Sequence, residues 1–118
     1  MRKITNEARL AFLNMEDYRN DNTEVEVRRQ PHMVDVWMYL HGNEIARSNW
    51  QELHLDDCGR KTNTTKERMN WLLYWMGWEI SQVKGEWFIC NSQEKHKFDD
   101  VNYIDLTNNE AVLYPKHN

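Results

Sequence analysis

NTTKERMNWLLYWMG, residues 63–77, carries the clearest helical pattern in the chain. Thr64 is placed to cap it, its hydroxyl accepting from an orphan N–H of the first turn. Glu67, three residues on, can reach back to the cap's own N–H and complete a capping box. Gly77 falls where a left-handed residue usually ends a helix. The predicted helix is therefore 64–76. Met69, Leu72, Leu73 and Met76 recur at i, i+3, i+4 and i+7, which predicts one core-facing stripe. Trp71 and Trp75 are also four apart and make a second stripe beside the first. The last two turns are then apolar nearly all round. Such a helix is either sandwiched within the fold or offers a face to a partner, which could be a second copy of the chain.

Outward from this helix the chain reads as strands. Residues 23–29 alternate, with Val25 and Val27 on one side and Glu24, Glu26 and Arg28 on the other. Residues 34–41 form the strongest strand, with Val34, Val36, Met38 and Leu40 opposed to Asp35, Trp37, Tyr39 and His41. Gly42-Asn43 reads as a tight hairpin leading into strand 44–48. A further strand is expected over 50–55, with Leu53 and Leu55 inward. Beyond the helix, strands 78–83 and 86–90 flank Lys84-Gly85. Strands 101–106 and 111–114 flank Asn108-Asn109. At the other end, residues 5–15 read as a helix capped by Thr5, with Ala8, Ala11, Phe12 and Met15 as its stripe. Residues 17–22 and 92–100 read as polar loops. The fold class is α+β: an antiparallel sheet packed by two helices on one face, with a helix–strand–strand echo between the halves. The other sheet face, bearing Trp37 and Tyr39, is expected to stay partly open.

Composition narrows the function classes. The 118 residues suit one domain with a single core, over residues 1–118. Hydrophobic residues make up 40% and charged residues 29%, the balance of a globular rather than a disordered chain. No apolar run approaches the roughly 18 to 20 residues that span a bilayer. The opening MRKITNEARL has a basic start without an apolar run, so it is not read as a secretory signal, and cytosol is the default compartment. Cys58 and Cys90 are then expected as free thiols. A net charge of −4 argues against non-specific duplex binding, which needs basic patches. Six tryptophans are more than a small core readily takes, and exposed Trp is typical of binding hot spots.

No constellation for chemistry stands out. There is no CxxC, HExxH or EF-hand loop, so no metal is expected. The four glycines make neither GxGxxG nor a P-loop, so no nucleotide cofactor is expected. Asp56-Asp57 and Asp99-Asp100 read as turn residues rather than paired catalytic carboxylates. Arg28-Arg29 and Lys95-His96-Lys97, with Trp37, Tyr39 and Trp87, could serve single-stranded nucleic acid, although aromatics in strands more often pack.

Several strings carry a resemblance: AFLN at 11–14, NTEV at 22–25, MYLHGNEIAR at 38–47, TNTTKERMN at 62–70 and KGEWFICN at 84–91. Over residues 3–91 the chain resembles a group of small proteins encoded in tailed bacteriophage genomes. It departs from that pattern in the Trp-rich 71–78 segment and in a longer acidic tail. The resemblance implies a phage accessory protein made in the host bacterial cytoplasm, and it carries no catalytic residues. The expected function is non-enzymatic: binding, and inhibiting, a bacterial protein or nucleoprotein complex such as a CRISPR or restriction system. Trp71, Trp75, Trp37 and Tyr39 are the expected interface. The alternative is a single-stranded nucleic-acid module using the aromatic sheet face.

Overall fold

The computed structural model describes residues 3–114, with the side chain of Trp75 outside the described part. Helix α1 (Lys3–Asn14) is followed by strands β1 (Tyr18–Asn20), β2 (Thr23–Gln30), β3 (Met33–Leu40), β4 (Asn43–Ser48) and β5 (Glu52–Leu55). Helix α2 (Asn63–Leu73) runs into a 3-10 turn, Tyr74–Met76. Strands β6 (Glu79–Val83), β7 (Glu86–Cys90) and β8 (Lys95–Lys97) come next, then a second 3-10 turn, Phe98–Asp100. Strands β9 (Val101–Asp105) and β10 (Glu110–Leu113) finish the described chain. The fold is α+β. One antiparallel sheet has the order β1-β2-β3-β4-β5-β9-β10, and a smaller one has the order β6-β7-β8. Each helix is thus followed by an antiparallel meander, but the second meander forms its own sheet before β9 and β10 rejoin the first. No helix among the described residues is long and apolar enough to cross a membrane.

Both helices cover one face of the large sheet. Alternation in β2 and β3 drives Val25, Val36, Met38 and Leu40 into the core, where Ile45, Leu53 and Ile104 continue the floor. Ala8 and Ala11 keep the buried side of α1 thin, so it lies close to α2. Met69, Leu72 and Leu73 form the buried stripe of α2, while Met76 is only half-buried. Trp78, Ile80, Trp87 and Ile89 bring the small sheet into the same hydrophobic cluster. Trp78 and Trp87 are each 1% exposed. The Trp78 indole N–H donates to Asn109 Oδ1 at 2.9 Å, and Trp87 meets Phe98 edge to face.

The helix ends differ from the sequence reading. The N-cap of α2 is Thr62, not Thr64: its Oγ1 accepts from the N–H of Thr65 at 3.1 Å. Glu67 therefore forms no capping box and instead accepts from the hydroxyl of Thr5. Thr5 is no cap either. It lies buried inside α1, accepting from Arg68, a 2% exposed arginine that also donates to Thr23 and Glu67. A threonine capable of capping is equally capable of meeting a buried guanidinium, and one chain's pattern does not separate the two roles. The helix predicted over 64–76 is α-helical only to Leu73 and tightens into the 3-10 turn. There Gly77, at φ 81°, ends it: its N–H reaches the Tyr74 carbonyl, and the Trp78 N–H reaches Leu73.

Other corrections concern short or polar strands. The hairpin between β3 and β4 turns on His41-Gly42, both left-handed, rather than on Gly42-Asn43, since Leu40 pairs with Asn43. Residues 18–20 and 95–97, read as loop, are strands because β2 and β7 offer them partners. Cys90 is half-buried on the side of β7 away from Trp87 and Ile89. Strand β5 starts only at Glu52, so Trp50 belongs to the connection before it.

Candidate functional site

The two helices do not cover the sheet completely. Between the end of α1, the end of α2 and the β4–β5 connection lies a groove of about 710 Å³. Phe12, Leu13 and Met15 form one wall, Leu72 and Met76 another, and Val36 and Leu53 the floor. Trp50 stands at its border, 67% exposed.

Three of the seven non-glycine residues with positive φ among the described residues line this groove. Met15 (φ 55°), Trp50 (φ 76°) and Asn109 (φ 55°) all line it, and all three are non-glycine residues in the left-handed region. Asn tolerates that region, whereas a bulky residue there is an outlier. Met15 terminates α1 as Gly77 terminates α2. Its N–H bonds the Phe12 carbonyl, and the Glu16 N–H reaches back to Ala11 at 2.8 Å. Trp50 is held by its neighbours. Asn49 Oδ1 accepts from the N–H groups of Gln51 (3.2 Å) and Glu52 (3.0 Å), and the Leu106 N–H donates to the Gln51 carbonyl at 2.8 Å. Strained residues persist where the surroundings over-determine them, and such places cluster at ligand-binding sites.

Among the described residues, the groove lining contains one charged side chain, Arg9. Its guanidinium carbon lies 5.7 Å from the ring centroid of Trp71, and one terminal N–H donates to Asn6 Oδ1 at 3.1 Å. Its Nε is buried and meets no acceptor among the described residues. Arg29 reaches the same end of α1, donating to the Met15 carbonyl at 3.4 Å.

Of the four residues expected to form one interface, Trp71 lies apart from Trp37 and Tyr39. Trp71 is half-buried in the helical layer beside Arg9 and 5.6 Å from the ring of Tyr74. The side chain of Trp75 lies outside the described residues. Trp37 and Tyr39 lie on the opposite, helix-free side of the sheet, half-buried and stacked with centroids 6.4 Å apart. Arg28 sits 4.0 Å and Arg47 5.2 Å from the Trp37 centroid, so the ring already has cations against it. Cross-strand register puts Glu24, Glu26, Asp35 and Glu44 around them, four acids against the three arginines Arg19, Arg28 and Arg47. That surface is a poor electrostatic match for a phosphate backbone.

The groups weighed for chemistry have structural partners. Asp57 accepts from the N–H of Gly59 and pairs with Lys61 at 2.6 Å, and Lys61 also holds Asp99 at 3.1 Å. Asp56 accepts from the N–H of Cys58. Both cysteines are free thiols. Burial, reinforced by Asp56, Asp57 and Glu44, pushes the Cys58 thiol up, which is unfavourable for a nucleophile. No group of three or more His, Cys, Asp or Glu residues among those described could hold a metal ion.

Two helices over antiparallel sheets, with an apolar groove where the helices stop, make this a small α+β protein, and sequence comparison places it among phage proteins. The family model that matches is the Kyanoviridae Gp96 protein, over residues 1–110, and the chain belongs to that family. No curated protein and no solved structure matches it.

Proposed function

We propose that this phage protein acts without catalysis in the host bacterial cytoplasm, binding a host protein or nucleoprotein complex and inhibiting it. The observation that carries this reading is the groove: an exposed tryptophan held in a strained conformation at the border of an apolar cleft. The interface is then centred on Trp50, with Trp71 behind Arg9, rather than on the Trp37–Tyr39 face. The test is affinity capture from host lysate with tagged protein, with and without nuclease, using the wild-type chain and Trp50→Ala as baits. One dominant protein that survives nuclease and is lost with Trp50→Ala supports the reading. Recovery that vanishes with nuclease, together with tight, salt-sensitive binding of the purified chain to bare oligonucleotides, overturns it in favour of nucleic acid.

A further inference from the structure

We infer that the groove takes a peptide segment of its partner that joins an apolar or aromatic side chain to a carboxylate. This rests on the host-binding reading and adds the chemistry of the bound segment. The apolar side chain enters between Leu13, Met15 and Met76, and Trp50 covers it from the border. The carboxylate goes to Arg9. Among the described residues, that arginine is the single charged group in the lining, and it pairs with no acid. Its present contacts are one side-chain amide and the face of Trp71. A carboxylate that draws the guanidinium toward the groove supplies the acceptor that Nε lacks, in the fork geometry for which arginine is suited. Among the described residues the lining contains no acid, although the whole chain has 19 acidic residues against 15 lysines and arginines. The charge carried by the described lining is thus opposite in sign to the chain's net charge and favours an acidic segment among apolar ones.

The experiment selects a random dodecapeptide display library on the full-length protein, then titrates the enriched peptide and its Glu/Asp→Gln/Asn twin by fluorescence anisotropy. The baits are the wild-type chain, Arg9→Gln, Trp50→Ala and Trp50→Gly, with circular dichroism confirming that each is folded. The expected result is enrichment of Leu, Phe or Trp with Asp or Glu within one helical turn. Affinity should drop about tenfold or more with Arg9→Gln and with the amide twin, and more strongly with either Trp50 variant. Enriched peptides without acidic residues, or equal binding to Arg9→Gln, overturn the inference. So does a dimer in light scattering that Trp50→Ala dissolves, since the groove is then filled by a second copy. Host capture that needs Trp50 but not Arg9 leaves the binding function standing and removes the acidic segment. Acidic peptides without any host capture do the reverse.

Discussion

Replacing Trp50 by glycine and, separately, by alanine isolates the backbone strain at the groove. Both variants lose the same indole ring, so the packing it contributes cancels in their difference. What remains is the backbone. In ordinary right-handed or extended conformations alanine is the more stable of the two by about 0.5–1 kcal/mol, because glycine loses more freedom on folding. At φ 76° the order changes. A residue with a Cβ held in the left-handed region costs about 1–2 kcal/mol that glycine does not. The net expectation is that Trp50→Gly is more stable than Trp50→Ala by about 0.5–1 kcal/mol, or roughly 2–4 °C in Tm for a chain of this size. Urea unfolding followed by far-ultraviolet circular dichroism measures it, with Ser81→Gly and Ser81→Ala on β6 as the control pair of ordinary sign. If Trp50→Ala were the more stable variant, the backbone there would not be left-handed, and the argument from strain to a binding site would lose its premise. The glycine variant also serves the binding experiments. It is the better folded of the two truncations, so loss of partner binding in it reports the missing ring.

Thr62→Ala should cost about 1 kcal/mol in urea unfolding while Thr64→Ala costs a few tenths, since Thr62 accepts from the first turn of α2. Lys61→Met should destabilise by about 1–3 kcal/mol, because it leaves the buried Asp57 carboxylate without its cation. The hydrogen bond it donates to Asp57, ahead of that to Asp99, raises the Lys61 ammonium above its ordinary value of 10.5. Its contribution is therefore complete at neutral pH and is lost as pH rises through the folded-state value; stability curves between pH 9 and 11.5 should fall more steeply for wild type than for Lys61→Met. Cys58 should react with a disulfide reagent at pH 8 more slowly in the folded protein than in urea, because burial followed by Asp56 holds the thiol up. A faster reaction in the folded protein would contradict that direction.

How much of this was legible in the sequence depended on how local the cause was. The buried stripe of α2 and the inward side of β3 follow from periodicity, which one chain displays directly. Strands β1 and β8 were not legible because Tyr18-Arg19-Asn20 and Lys95-His96-Lys97 have no strand pattern of their own. They exist because a neighbouring strand presents an edge. Residue type alone groups Trp37, Tyr39, Trp71 and Trp75, whereas the sheet puts Trp37 and Tyr39 on one side and Trp71 on the other. Trp50 was hidden by being read into the strand that follows it. Yet the polar setting Ser48-Asn49-Trp50-Gln51-Glu52 contained a usable signal. Asn49 is the residue type that caps a turn by accepting from the backbone two and three residues on, as it does here. An apolar ring between such a turn former and polar neighbours has nowhere inside to go. The groove's charge was less accessible still. Arg9 reads as the polar side of an amphipathic helix, and it faces the groove only because α1, held at its end by a left-handed Met15, stops short of covering the sheet. Apolar binding surface in a fold this small is thus set by where helices end, so the residues that end them belong to the site as much as those that line it.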